Sequence, residues 1–403
     1  MKRDIGELNV PARILLGPGP SNVDSRVYRA LLAPMLGHLD PEFLRVMDDV
    51  QVLLRRLFQT ENRLTFPVSG TGSAAMETAM ANCLEPGDTA AITVAGHFGA
   101  RLAEMARRAG AEVIALEAPA GSAVDPEAAR RALRGKKVKV LGVTHGETST
   151  GVLHELDPFR RVADECGALL VVDAVATAGG MPLNVDAQRI DLCFTGSQKC
   201  LSAPPGLGPL TAGPRVEEAL RARKTEVTSW YFDLTTIMKY WGGERTYHHT
   251  APISMIYALR EALRMVDEEG LPARWERHRH NQQALVAGLE AMGIEPIAPP
   301  GQRMWTVTCV RTPAALDEAK VRRRLLDEFN IEIAGGFGEL KGRAWRIGLM
   351  GASCTETNVL LFLGALEKLL PEEGLKLSPG AGVAAAAHSY SQPAAVAGEQ
   401  IRG

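Results

Sequence analysis

The chain has 403 residues, 46% hydrophobic and 23% charged, with 45 Lys and Arg against 47 Asp and Glu and a formal charge of −2. That length can bury a large core and points to two domains, and the near balance of charge argues against a nucleic-acid or polyanion surface. No apolar run is long enough to span a bilayer, the N-terminus lacks the apolar stretch of a secretion signal, and the six scattered cysteines, with no C-x-x-C pair, read as buried thiols of a reducing compartment rather than a disulfide frame or zinc site.

From about residue 64 to 213, short β-rich runs alternate with helical patterns. Strands are expected at 64–68, 89–94, 112–116, 138–144, 168–172 and 191–195. Between them, apolar spacing predicts helices over about 76–84, 100–109, 126–133 and 157–166. Met76, Ala79, Met80, Cys83 and Leu84 mark one face of the first. Such alternation implies a mostly parallel sheet covered on both faces, with ligands bound outside the carboxyl ends of the strands. A connecting helix is expected over 272–293. A smaller α+β unit follows, with strands at 305–310, 331–334 and 344–349 and helices at 316–329 and 355–370. The expected organisation is an N-terminal arm (1–20), a large domain (21–271), a small C-terminal domain (272–375) and an Ala/Gly/Ser/Pro-rich tail (376–403) without ordered structure.

The polar motifs fall at strand ends. Ser69-Gly-Thr-Gly-Ser73 lies between a strand and a helix, where glycines and free N–H groups suit a phosphate; a capped strand-to-helix turn is the alternative. Phe98 follows a strand and reads either as a stacking platform for a flat heteroaromatic ring or as a core residue. The loop Thr144-His-Gly-Glu-Thr-Ser-Thr-Gly151 offers Thr148 as a donor, with His145 and Glu147 either functional or structural. Asp173 closes one strand, and Lys199 follows another in a Gly-Ser-Gln-Lys turn. A lysine for a Schiff base and an aspartate for a pyridinium nitrogen are what pyridoxal 5'-phosphate (PLP) asks of a protein. Gln198 is placed to reach the phosphate. Arg346, inside an apolar strand, needs a partner: a substrate carboxylate or an internal salt bridge. A zinc site at His248 and His249 is disfavoured, because adjacent residues seldom face one metal.

Eight motifs in order carry a resemblance over about residues 14–370. They are Leu16-Gly-Pro-Gly-Pro-Ser-Asn22, Ser69-Gly-Thr-Gly-Ser73, Thr144-His-Gly-Glu-Thr-Ser-Thr-Gly-Val152, Val172-Asp-Ala-Val-Ala176, Gly196-Ser-Gln-Lys199, Ala203-Pro-Pro-Gly206, Tyr247-His-His-Thr250 and Arg346-Ile-Gly348. The chain resembles the class V, fold-type I PLP aminotransferases, and more closely the alanine–glyoxylate/serine–pyruvate aminotransferase family. The resemblance implies an α/β fold with a large domain built on a mostly parallel seven-stranded sheet, a small α+β domain, and a homodimer with its site at the interface. Lys199 would form the internal aldimine and Asp173 hold the ring nitrogen. Gly72, Ser73, Ala74 and Gln198 match phosphate-loop positions, and Tyr247 and Thr250 match positions reaching the neighbouring subunit's phosphate. Phe98 matches the stacking position, Thr148 an oxygen-contacting one, and Arg346 the substrate-carboxylate arginine. Gly19, in the arm, would reach the substrate.

The implied reaction is amino transfer from L-alanine or L-serine to glyoxylate or pyruvate through pyridoxamine phosphate, in the cytoplasm. An aminoethylphosphonate transaminase and a cysteine desulfurase or lyase are the alternatives on the same fold. This chain departs from animal members of the family in having Phe98 where Trp is frequent and Gly72-Ser73-Ala74 where they have Gly-His-Cys. Both changes lie beside the ring and leave the substrate pair open.

Overall fold

The computed structural model describes residues 5–392. Seven strands form the central sheet: β1 (Leu64–Ser69), β2 (Thr89–Val94), β3 (Glu112–Glu117), β4 (Val140–Thr144), β5 (Leu169–Asp173), β6 (Leu192–Phe194) and β7 (Leu207–Ala212). Their spatial order is β1-β7-β6-β5-β4-β2-β3, and β7 alone runs against its neighbours. The expected mostly parallel seven-stranded sheet is therefore present. The apolar runs are legible as strands because helices cover both faces, so every residue of β4 and β5 is buried.

Helices α1 (Ser25–Leu31) and α2 (Pro41–Phe58) precede the sheet. The crossovers are α3 (Gly72–Cys83), α4 (His97–Arg108), α5 (Pro126–Leu133) and α6 (Leu156–Cys166). Leading out of it are α7 (Pro214–Arg221), α8 (Leu234–Trp241), α9 (Ile253–Glu269) and α10 (Leu271–Ala291). Of these, α1, α2, α7, α8 and α9 lie outside the elements expected from the pattern. Helix α2 is sharply bounded. The Asp40 side chain accepts from Glu42 N, Pro41 opens the first turn, and Gln59 closes the helix in a left-handed conformation. Its buried stripe of Phe43, Met47, Val50, Leu54 and Phe58 packs on α9. Each such side chain contributes about 1.5–3 kcal/mol on burial.

A second core gathers Leu16, Leu285, Leu289, Trp345, Phe362 and Leu366. It surrounds a three-stranded antiparallel sheet of β8 (Val307–Arg311), β9 (Ala334–Gly335) and β10 (Ala344–Gly348), with β10 central. Helices α11 (Glu318–Phe329) and α12 (Glu356–Glu372) cover it. The arm belongs here too. Ile14 and Leu15 pair in parallel with Ile331 and Glu332, and Gly348 N donates to Leu16 O at 2.7 Å.

The tail differs from expectation. Residues Ala381–Ser391 form α13, packed on α10 and α12; residues 393–403 lie outside the described residues. Alanine-rich sequence reads as low complexity but has high helix propensity. Here Glu367 Oε1 caps the helix, accepting from Gly382 N at 2.6 Å and Val383 N at 3.0 Å. Gly288 and Gly382 let the two helices touch, since an added Cβ on either would fall within 3.0 Å of the other's carbonyl oxygen.

Candidate active site

The polar groups collect where the parallel strands end. Thr144 at the end of β4 is in register with Asp173 at the end of β5, and Asp173 with Phe194 at the end of β6. The turn after β6 presents Lys199. Its Nζ donates to Pro18 O, and Gly19, at φ +110°, lies so close that an added Cβ would sit 2.6 Å from Nζ. The arm is thus laid directly on the lysine, and only glycine fits there. Ser21 Oγ donates to Lys199 O at 2.8 Å, and Arg274 Nη2 to Cys200 O at 2.5 Å, so the turn is clasped from both sides. Burial pulls the Lys199 amine down to about 8, with Arg346 and Arg101 pushing the same way and Asp173 opposing.

Asp173 is buried, and its Oδ1 accepts from Val175 N at 2.9 Å. Burial pushes its carboxyl up to about 7, helped by nearby Glu147. Among the described residues no Lys, Arg or His forms an ion pair with it. Thr144 Oγ1, one strand away, is buried without a partner.

At the end of β1, the Thr71 side chain makes no cap bond to α3, so the helix opens with Gly72 and Ser73 uncapped. Gln198 Oε1 is buried beside this turn with no partner, and its amide can present either end. Arg101 Nη1 donates to Ser73 Oγ at 3.1 Å. Ala74 follows, its amide bonded back to Thr71 O at 2.8 Å. These groups fit PLP: an unpaired buried carboxylate for a pyridinium, an amine of lowered pKa for an aldehyde, and an uncapped helix start for a phosphate.

Glu147 is structural. Its Oε2 accepts from Phe98 N and Gly99 N, each at 3.0 Å, and its Oε1 from Ser149 N at 3.0 Å and Ser149 Oγ at 2.6 Å. His145 is structural as well. Its Nδ1 meets Thr177 Oγ1 at 2.9 Å, and burial lowers its pKa to about 3. Helix α4 therefore begins at His97, three residues before the expected start, and Phe98 sits in its first turn. The Phe98 ring is half-buried, with Arg101 4.8 Å from its centre.

Arg346 lies in the middle of β10, buried, its Nε donating to Gly335 O at 2.7 Å. Its Nη1 reaches Thr148 O at 3.4 Å, which puts Thr148 beside it. No carboxylate pairs with Arg346 among the described residues, so the internal salt bridge considered above is absent.

Tyr247 and Thr250 do not join this group. Both are exposed; Tyr247 packs on His38 at 4.9 Å, and Thr250 lines a groove with Met35, Leu36, His38 and Met255. Sequence reasoning missed Arg101, Arg274 and Phe337. Arg101 was within reach, since it follows Phe98 by three positions on the same helix face. The other two reach the site only through tertiary packing. Among the described residues no group of His, Cys, Asp or Glu is arranged to hold a metal, and no helix is long and apolar enough to cross a membrane.

Residues 24–339 match the class-V aminotransferase family. The chain is 42% identical over 405 residues to the (S)-ureidoglycine–glyoxylate transaminase of Bacillus subtilis, covering 95% of this chain and 97% of that one. It is 40% identical over 367 residues to the alanine–glyoxylate aminotransferase of Rattus norvegicus, covering 90% and 89%. The crystal structure of the Bacillus subtilis ureidoglycine–glyoxylate aminotransferase superposes with a TM-score of 0.94 at 43% identity, over 96% of this chain and all of that one. That of an alanine–glyoxylate aminotransferase from Nostoc sp. gives 0.89 at 46% identity, over 92% and 98%.

Proposed function

Because this chain belongs to the class-V aminotransferases, we propose that it binds PLP between Lys199 and Asp173 and transfers an amino group from L-alanine or L-serine to glyoxylate or pyruvate. Glyoxylate is the better-supported acceptor, since the names of both relatives carry it. The observation that carries the reading is the trio of Lys199, Asp173 and Arg346. An amine, a carboxylate and a guanidinium converge there, and among the described residues neither the carboxylate nor the guanidinium has an ion-pair partner of its own.

When bound, PLP supplies an electron-withdrawing ring that accepts the charge left at Cα when its proton departs. The chain's residues supply the rest. Lys199 Nζ would hold the cofactor and, as a free amine of lowered pKa, would be the base that takes the substrate Cα proton. Asp173 would hold a proton at the ring nitrogen, since a carboxylate there favours the charged form of a pyridinium. Gly72, Ser73, Ala74 and Gln198 would hold the phosphate, and Phe98 would stack on the ring. Thr148 would donate to a cofactor oxygen, and Gly19 would close the pocket against the substrate. Arg346 turns the substrate so that its Cα–H faces Lys199, gripping a carboxylate that donor and acceptor both carry.

Tyr247 and Thr250 complete the phosphate site of a second copy in this reading. A homodimer is supported by an exposed apolar residue lining the same groove as Thr250: Met35 is 68% exposed. Six free cysteines fit a cytoplasmic setting. A desulfurase finds no support, because burial holds the Cys200 thiol at about 11 and Cys309 and Cys354 at about 12.

The test is absorbance of the PLP-loaded protein during titration with single amino donors and no acceptor. The panel is L-alanine, L-serine, (S)-ureidoglycine, L-cysteine and aminoethylphosphonate. Conversion to the amino form of the cofactor by alanine or serine supports the proposal. Conversion by another member alone names a different donor and refutes this one.

A further inference from the structure

Phe337 occupies the loop between β9 and β10 and is 39% exposed. Its ring centre is 4.1 Å from Cζ of Arg346, within cation–π range. The same ring stacks on His97 at 4.8 Å, with planes 29° apart, and meets Phe98 edge-to-face at 6.5 Å. His97 and Phe98 open α4, beside the main sheet, whereas Arg346 belongs to the second core's sheet. Phe337 therefore joins the carboxylate side of the pocket to its ring-stacking side. The loop is tightly closed beneath it, for a Cβ added at Gly336 would fall 2.2 Å from Leu340 O.

The contact limits how Arg346 can be approached. One side of the guanidinium is covered by the ring, over which Cζ lies at 4.1 Å, and Nε is committed to Gly335 O. Nη1 already reaches Thr148 O at 3.4 Å, so what remains is Nη2 with the outer part of the Nη edge, which suits a carboxylate lying in the guanidinium plane. Covering a face also strips water from the cation, and a less hydrated cation attracts an anion more strongly.

We propose that Phe337 is a second determinant of substrate-carboxylate recognition, a positioning residue that acts through Arg346 by holding the guanidinium edge-on and partly dry. The proposal rests on the reading of Arg346 given above. Its consequence is symmetric. Amino donor and oxo-acid acceptor present the same carboxylate, so both should depend on Phe337 to the same degree.

The test uses PLP-loaded enzyme with the substitutions Phe337→Leu, Phe337→Ala, Phe337→Tyr, Phe337→Trp and Arg346→Gln. Propionate serves as an unreactive carboxylate probe, beside KM for glyoxylate and for the amino donor found by titration. Leu and Ala should raise the propionate inhibition constant and both KM values by about tenfold, with kcat within about twofold. Tyr and Trp should restore wild-type behaviour. A Leu variant as good as Tyr would show that only apolar bulk matters and overturn the proposal. Unequal changes for donor and acceptor would also overturn it, by making Phe337 a side-chain wall. If Arg346→Gln weakens propionate but Phe337→Leu does not, this inference alone falls. If Arg346→Gln leaves propionate unaffected, the reading of Arg346 falls with it.

Discussion

One carboxylate oxygen of Glu147 accepts the amide protons of both Phe98 and Gly99, each at 3.0 Å. A side chain 49 residues downstream of Phe98 thus fixes the helix start that carries the stacking ring. Charge-assisted bonds to a buried acceptor at a helix start are strong, because the N–H groups have no other partner and the helix dipole adds to them.

Glu147→Ala should therefore cost about 3–5 kcal/mol of stability and weaken PLP binding by more than tenfold. Glu147→Gln should lose part of this, since its NH2 end cannot accept from an amide. Denaturant unfolding and a PLP binding isotherm check both effects. Wild-type affinity in the Ala variant would mean that Phe98 is positioned by something else.

Asp173 gives a pH-dependent prediction. Its carboxyl stands at about 7 in the folded protein against an ordinary 3.8, chiefly from burial. Between those values the folded state binds more protons than the unfolded chain, so stability falls as pH rises. Above about pH 7 the loss in cofactor-free protein is on the order of 4 kcal/mol. Asp173→Asn should accordingly stabilise the cofactor-free protein above pH 7 and change little near pH 4. It should lower kcat of the loaded enzyme by at least about 100-fold. Melts of both proteins across this range are the measurement, and parallel curves would contradict the assignment.

Lys199 gives another. A free amine attacks an aldehyde, and its pKa of about 8 lies well below the ordinary 10.5. The rate at which cofactor-free protein takes up PLP should rise with pH and level off just above 8. Arg346 helps depress this value, so Arg346→Gln should move the midpoint upward. Stopped-flow absorbance reads both, and a midpoint near 10 would show an unperturbed lysine. Lys199→Ala should abolish turnover outright.

The strand ends bearing Asp173 and Lys199 were legible because buried parallel strands are continuous apolar runs, and polar residues after them stand out. Strand β7 was not, because Leu207-Gly-Pro-Leu-Thr-Ala212 contains two residues that local propensity sets against strands. It forms because both neighbours supply partners, with Pro209 opposite Pro67. The start of α4 was placed late because Gly96-His97-Phe98 carries no cap of its own; the cap is Glu147. Phe337 was invisible for a similar reason. Its partners are His97, Phe98 and Arg346, and the tertiary packing of the loop before β10 against the start of α4 brings Phe98 and Phe337 together.

Exposed Tyr247 and Thr250 lead to a prediction about pairs of subunits. Alone, Lys199→Ala and Tyr247→Ala proteins should each be impaired, the second mainly in PLP affinity. Unfolded together and refolded, half of random dimers are hybrids with one intact site. The mixture should reach about one quarter of wild-type activity at limiting PLP. Activity no higher than the mean of the two separate variants would place Tyr247 outside the neighbouring site.

The pairing of Ile14 with Ile331 bears on when the protein becomes functional during synthesis. Leu16 and Gly19 are made early and meet the Lys199 turn through Pro18 and Ser21, yet the groups that hold the other end of this stretch, Ile331, Glu332 and Gly348, are made more than 300 residues later. At about 5–20 residues per second the arm waits on the order of half a minute for its docking partners. The main sheet, with Lys199 and Asp173 in place, can form in the meantime, with the arm over Lys199 tied at one end only. A ribosome-bound chain arrested before Ile331 would therefore hold the reactive amine under a roof fastened on one side, and synthesis of Ile331, Glu332 and Gly348 is the step that fastens the other.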